Sequence, residues 1–123
     1  MTILAHVFER HPVGQSTIKL GLVGIGRRGG GFRRYCELIP GLVIEAVCDT
    51  SPEQLKIAQK KLGARSTWTD FQEMIDKADI DAVIISTPMQ FHGPQSTAAL
   101  KRGLHVLCEV TPAVSLQECR DLV

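Results

Sequence analysis

One segment, IKLGLVGIGRRGGG (18–31), constrains the fold more than any other. Its start is an apolar run of strand length, and six glycines fall within residues 21–31. Glycine loses more backbone freedom on folding than other residues, so such a density needs a compensating role. Gly24, Gly26 and Gly29 stand in G-x-G-x-x-G spacing, directly after a strand and at the opening of a helix. In that context the first glycine permits a tight turn and the second lets backbone approach a pyrophosphate. The third lets helix and strand pack closely. The free N–H groups at the helix start favour phosphate. Ile25, Arg27 and Arg28 lie inside the motif and join Gly24 and Gly26 as candidate cofactor contacts. Gly30 and Gly31 exceed what the motif needs and loosen the first helical turn.

The rest of the chain repeats the same alternation. Residues 1–17 lack periodicity and are expected to form an arm; a dinucleotide-binding domain is expected over 18–123. Strands are predicted at 18–23, 42–48, 66–68, 81–86 and 104–109. Between them, residues 29–39 predict a helix stopped by Pro40-Gly41. The next helix has Ser51 as N-cap, Pro52 as first residue, Gly63 as C-cap and a stripe of Leu55, Ala58 and Leu62. Asp70/Glu73 and Ser115/Glu118 have capping-box spacing. A further helix ends at Gly103, and the last carries Leu116, Cys119 and Val123 on one face. The segment DAVIIS is apolar on both faces, as a central parallel strand must be. Five β-α units predict an α/β fold: a doubly wound, Rossmann-like parallel sheet in three α/β/α layers. No cap follows the last helix, so the pattern reads as one that continues.

Composition removes several functions. The net charge is +1 and aromatics are 5%, so neither a nucleic acid nor an anionic membrane is an expected partner. Apolar runs are far shorter than the ~20 residues that span a bilayer. The N-terminus has no basic n-region or cleavage signal, so a cytoplasmic location is expected. Cys36, Cys48, Cys108 and Cys119 form no C-x-x-C pair. They are expected to be reduced and mostly buried, and no metal site is expected.

Asp49 ends the second strand, 23 positions after Gly26. That is near the spacing of the acid that bonds an adenosine ribose and repels a 2′-phosphate, which favours NAD over NADP. Bland alternatives stand beside each reading. The glycines could form an unliganded turn, Asp49 could cap a turn with Ser51, and Arg27 and Arg28 could be a solvated pair. A methyltransferase also shows a glycine loop and a strand-end acid.

Four motifs decide against the methyltransferase: VGIGRRG, VCDTSPE, STPMQFH (86–92) and GLHVLCEVTPA (103–113). Together they resemble the N-terminal domain of the glucose-fructose oxidoreductase, inositol dehydrogenase and rhizopine-catabolism (Gfo/Idh/MocA) family, over residues 18–123. The resemblance implies that Thr87, Pro88 and His92 line the nicotinamide side of the cofactor, although His92 alone would read as a helix-start residue. The family's fifth strand usually ends in E-K-P, with a catalytic or substrate-orienting lysine. Here Glu109 is kept and Val110 stands at the lysine position. Glu109 either contacts the nicotinamide end or caps a turn near Ser115. No catalytic residue is therefore assigned. The resemblance implies a nicotinamide-dependent oxidoreductase, NAD(P)-binding with NADP the less favoured cofactor, that moves hydride to or from a sugar, polyol or related small molecule. The family carries its substrate site and oligomer interface on a C-terminal domain absent from this chain, so the isolated chain is expected to be inactive. A substrate is expected only with that domain, and a homo-oligomer is an expected assembly. The alternative is a stand-alone NAD-binding or sensing module.

Overall fold

Five short strands make one sheet: β1 (Ile18–Val23), β2 (Leu42–Cys48), β3 (Ser66–Trp68), β4 (Ala82–Ile85) and β5 (His105–Cys108). In this computed structural model, which describes residues 16–123, every strand pairing is parallel and the order is β3-β2-β1-β4-β5. The expected arm lies outside the described residues except for Ser16 and Thr17. Strand order reverses between β1 and β4, and ligands of open α/β sheets bind at the C-terminal strand ends beside such a reversal.

The strands are buried from both sides. On one face Leu20, Leu22, Val47 and Ile84 pack with Cys36, Leu55 and Ala58. On the other, Val23, Ala46, Val83 and Ile85 pack with Met74, Ile75 and Ala99. Alternate residues of one strand thus enter opposite cores, which is the expected three-layer α/β/α arrangement.

The helix predicted at 29–39 is two pieces, α1 (Arg27–Gly31) and α2 (Arg33–Leu38). At the junction the Phe32 and Tyr35 amides donate to the carbonyls three residues back, on Gly29 and Phe32. Three consecutive glycines are weak helix formers, and the hydrogen-bond ladder slips where they end.

Helix α3 (Pro52–Leu62) follows its caps: Ser51 Oγ accepts from the Gln54 amide, and Gly63 is left-handed at φ 68°. Helix α4 (Phe71–Lys77) is capped by Asp70. A 3₁₀ turn (Met89–Phe91) leads into α5 (His92–Lys101), and α6 (Leu116–Leu122) is capped by Ser115. The apolar stripe of α6, Leu116, Cys119 and Val123, is exposed. The helix instead lays Glu118 against Gly93 of α5, and the Glu118 carboxylate accepts from the Val114 amide. The cysteines correct one further expectation. All four are free, but only Cys36 and Cys48 are buried.

Candidate functional site

The C-terminal strand ends are tied into one row by backbone bonds that continue past the strands. The Asp49 amide donates to the Trp68 carbonyl, Gly24 to Cys48, Ser86 to Val23, and Glu109 to Ile85, at 2.8–3.1 Å. Asp49, Gly24, Ser86 and Glu109 therefore stand in order along one edge of the sheet. This places the glycine loop between the acid of β2 and the acid of β5.

The three motif glycines have three different surroundings. Gly24 has φ +78°, and a Cβ there would lie 2.8–2.9 Å from the backbone of Ser86 and Thr87. A Cβ on Gly29 would lie 1.7 Å from the Gly24 carbonyl oxygen. Both positions are closed by backbone, so only glycine fits without rearrangement. Gly26 has nothing within 4 Å. Its bare face opens outward, and that is the geometry by which a main chain can receive a bulky anion closely.

Asp49 braces this loop. Its Oδ2 accepts from the Ile25 amide at 3.1 Å and its Oδ1 from the Ser51 amide at 3.0 Å. Turn capping is thus real, and each oxygen keeps a further lone pair for a ligand hydroxyl. Arg27 and Arg28 part company. Arg27 makes no side-chain hydrogen bond or ion pair among the described residues, whereas Arg28 Nε donates to Glu109 Oε1 at 3.0 Å. The carboxylate raises the guanidinium pKa further. Glu109 therefore contacts α1 across the end of β4, and its turn-capping alternative near Ser115 is not what the structure has.

The β4 loop is held from within. Thr87 Oγ1 donates to Gln95 Oε1 at 2.6 Å, and Pro88 opens the 3₁₀ turn with its carbonyl accepting from the Phe91 amide. His92 is 2% exposed, with Nε2 at 2.6 Å from the Thr87 carbonyl and Nδ1 at 2.8 Å from that of Thr111. The expectation that His92 lines a ligand surface is corrected here. Both ring nitrogens face backbone carbonyls, of which a neutral ring donates to one, so the residue sits between the β4 loop and the β5 loop instead. Val110 is 85% exposed and offers neither proton nor charge.

Two features were missed in the sequence. The Arg28–Glu109 pair joins residues 81 positions apart, and nothing local announces it. The Ser86 hydroxyl is buried under the glycine loop without a hydrogen-bond partner. Its place directly after β4 was the available signal. No cluster of His, Cys, Asp and Glu among the described residues could hold a metal.

The family model described as "Oxidoreductase family, NAD-binding Rossmann fold" (GFO_IDH_MocA) matches residues 18–123. The chain belongs to the Gfo/Idh/MocA family. It is 34% identical over 118 residues to a glycosyl hydrolase family 109 protein of Shewanella woodyi, covering 88% of this chain and 25% of that one. Among solved structures it resembles scyllo-inositol dehydrogenase from Lactobacillus casei with bound NAD(H) and scyllo-inositol. That match has 34% identity and a TM-score of 0.82, and it covers 87% of this chain and 32% of that one. It also resembles the WlbA dehydrogenase of Bordetella pertussis in complex with NADH and UDP-GlcNAcA, at 27% identity and TM-score 0.83, covering 90% and 32%. This chain thus spans about a quarter of the curated relatives it matches and about a third of the solved structures. It is an NAD-binding Rossmann domain of an oxidoreductase family, on the expected three-layer fold.

Proposed function

We propose that this chain is the cofactor-binding part of a longer enzyme acting on a sugar, a polyol or a close derivative. NAD would lie along the row of strand ends. Its adenosine ribose would meet Asp49, its pyrophosphate would cross Gly26 beside Ile25, Arg27 and Arg28, and its nicotinamide end would reach Thr87, Pro88 and Glu109. NAD is preferred to NADP because the Asp49 carboxylate would face a 2′-phosphate. The cofactor supplies hydride acceptance and donation. The chain's own residues bind and orient it.

One observation carries the reading. Gly24 and Gly29 are closed by backbone while Gly26, between them, is open. A tight turn without a ligand needs the first two and has no use for the third. The relatives' greater length favours a domain of a longer enzyme over a stand-alone sensing module. The exposed Val110 at the lysine position, with relatives named glycosyl hydrolases, favours a glycoside over a free polyol as substrate. A cytoplasmic setting is supported by four free thiols.

The test is Gly26→Val. Because nothing lies within 4 Å of that position, the variant is expected to keep the wild-type circular dichroism spectrum. Isothermal titration with NAD should show binding lost. A folded variant that binds NAD as well as wild type would remove the glycine loop from the site.

A further inference from the structure

The Arg28–Glu109 pair has an unusual position for a surface ion pair. Arg28 belongs to α1, which follows β1, and Glu109 follows β5. In the sheet order those strands are separated by β4. Neighbouring strands lie about 4.8 Å apart, so the pair bridges about 10 Å of sheet edge. Between Arg28 and Glu109 comes the end of β4, where the Ser86 and Thr87 backbone lies against Gly24.

A dinucleotide laid along this edge must pass that bridge on its way from Gly26 to Glu109. Arg28 is two residues beyond Gly26, and only its Nε has a partner among the described residues. Its side chain is 77% exposed, while that of Glu109 is 19% exposed. Exposed ion pairs are weakly held, because both partners interact well with water. A guanidinium can instead grip a phosphate with two parallel hydrogen bonds, a stronger and more directional contact. Carboxylate and pyrophosphate have the same sign of charge and compete for the same cation.

We infer that Arg28 exchanges partners: Glu109 holds it across the crevice, and the pyrophosphate draws it away. Glu109, beyond its place at the nicotinamide end, then sets cofactor affinity by competing for Arg28, without touching the phosphates. Arg28 is the residue through which it acts. The inference rests on the proposed dinucleotide site and adds to it a means of tuning affinity from the β5 end.

A double-mutant cycle on the full chain tests this, with NAD as the titrant and isothermal titration as the readout. Arg28 is exposed, Glu109 is part-buried and its replacement by Gln keeps size and shape, so the variants should fold, which circular dichroism checks. Arg28→Gln should weaken NAD by about tenfold, the scale of one lost charge-assisted hydrogen bond. Glu109→Gln should tighten NAD by about threefold, the scale of a released surface pair. In the Arg28→Gln background, the tightening by Glu109→Gln should disappear. Partner exchange is overturned if wild type binds NAD and Glu109→Gln weakens binding or leaves it unaltered. It is equally overturned if the tightening persists undiminished without Arg28. Absence of NAD binding in wild type would overturn the dinucleotide site itself, and the two failures are thereby distinct.

Discussion

Replacing Gly29 by alanine should be far more damaging than replacing Gly31, although both lie in α1. At Gly29 a Cβ would sit 1.7 Å from the Gly24 carbonyl oxygen and 2.9 Å from its carbon. The obstacle is backbone, so no side chain can swing away. Gly24 has little room to retreat, since even a Cβ built on it would lie 2.8–2.9 Å from the Ser86 and Thr87 backbone. Overpacking a tight site costs about 1–3 kcal/mol, and this case belongs at the upper end. Alanine's better helix propensity returns only about 1 kcal/mol. A net loss of about 2 kcal/mol lowers Tm by roughly 8–16 °C in a domain of about 100 residues. At Gly31 nothing lies within 4 Å. There the propensity gain stands alone, and Tm should rise by about 2–8 °C. Thermal melts followed by circular dichroism would measure both. A Gly29→Ala variant melting within about 3 °C of wild type would refute the close packing of α1 on the first turn.

Other outcomes follow from the same geometry. Asp49→Ser should weaken NAD and narrow its advantage over NADP in titrations; tighter NADP than NAD binding by wild type would contradict the role given to Asp49. Burial pushes the Cys48 thiol up to about 12, so it should resist alkylation at pH 8 until the chain unfolds, while exposed Cys119 labels readily. The same shift makes stability fall as pH rises from about 9, where the unfolded thiol ionises, toward 12, where the folded one does. The chain alone should form no NADH from polyols or sugars. Val110→Lys should not rescue it, because substrate positioning, which can supply about 7–11 kcal/mol, is still missing. Robust absorbance change at 340 nm (roughly the reduced-ring band) would refute that.

The periodic parts of the fold were legible because local rules decide them. Caps at Ser51 and Asp70, the left-handed Gly63 and the doubly apolar β4 each depend on neighbours within a few residues. The split at Phe32 was half visible: surplus glycines signalled weakness, but not where the ladder would slip. The stripe on α6 is exposed, and the helix meets α5 through Glu118, whose carboxylate lies against Gly93 and accepts from the Val114 amide. In the site, Gly24 and Gly29 could be read from spacing, since the strand-turn-helix context fixes what each must meet. The orientation of His92 could not. Which way a helix-start histidine points depends on carbonyls that arrive from Thr111, nineteen residues away.

That histidine has a consequence for anyone remodelling the chain. A single buried ring is lodged between the loop after β4 and the loop after β5, and both ring nitrogens face main chain rather than a replaceable side chain. The two loops are therefore one mechanical part. Residues at 110–114 cannot be grafted from a relative as an independent cassette, because a shift in the Thr111 carbonyl is felt at Thr87. Loop exchange here should succeed only in matched pairs, with His92 retained as the fastener.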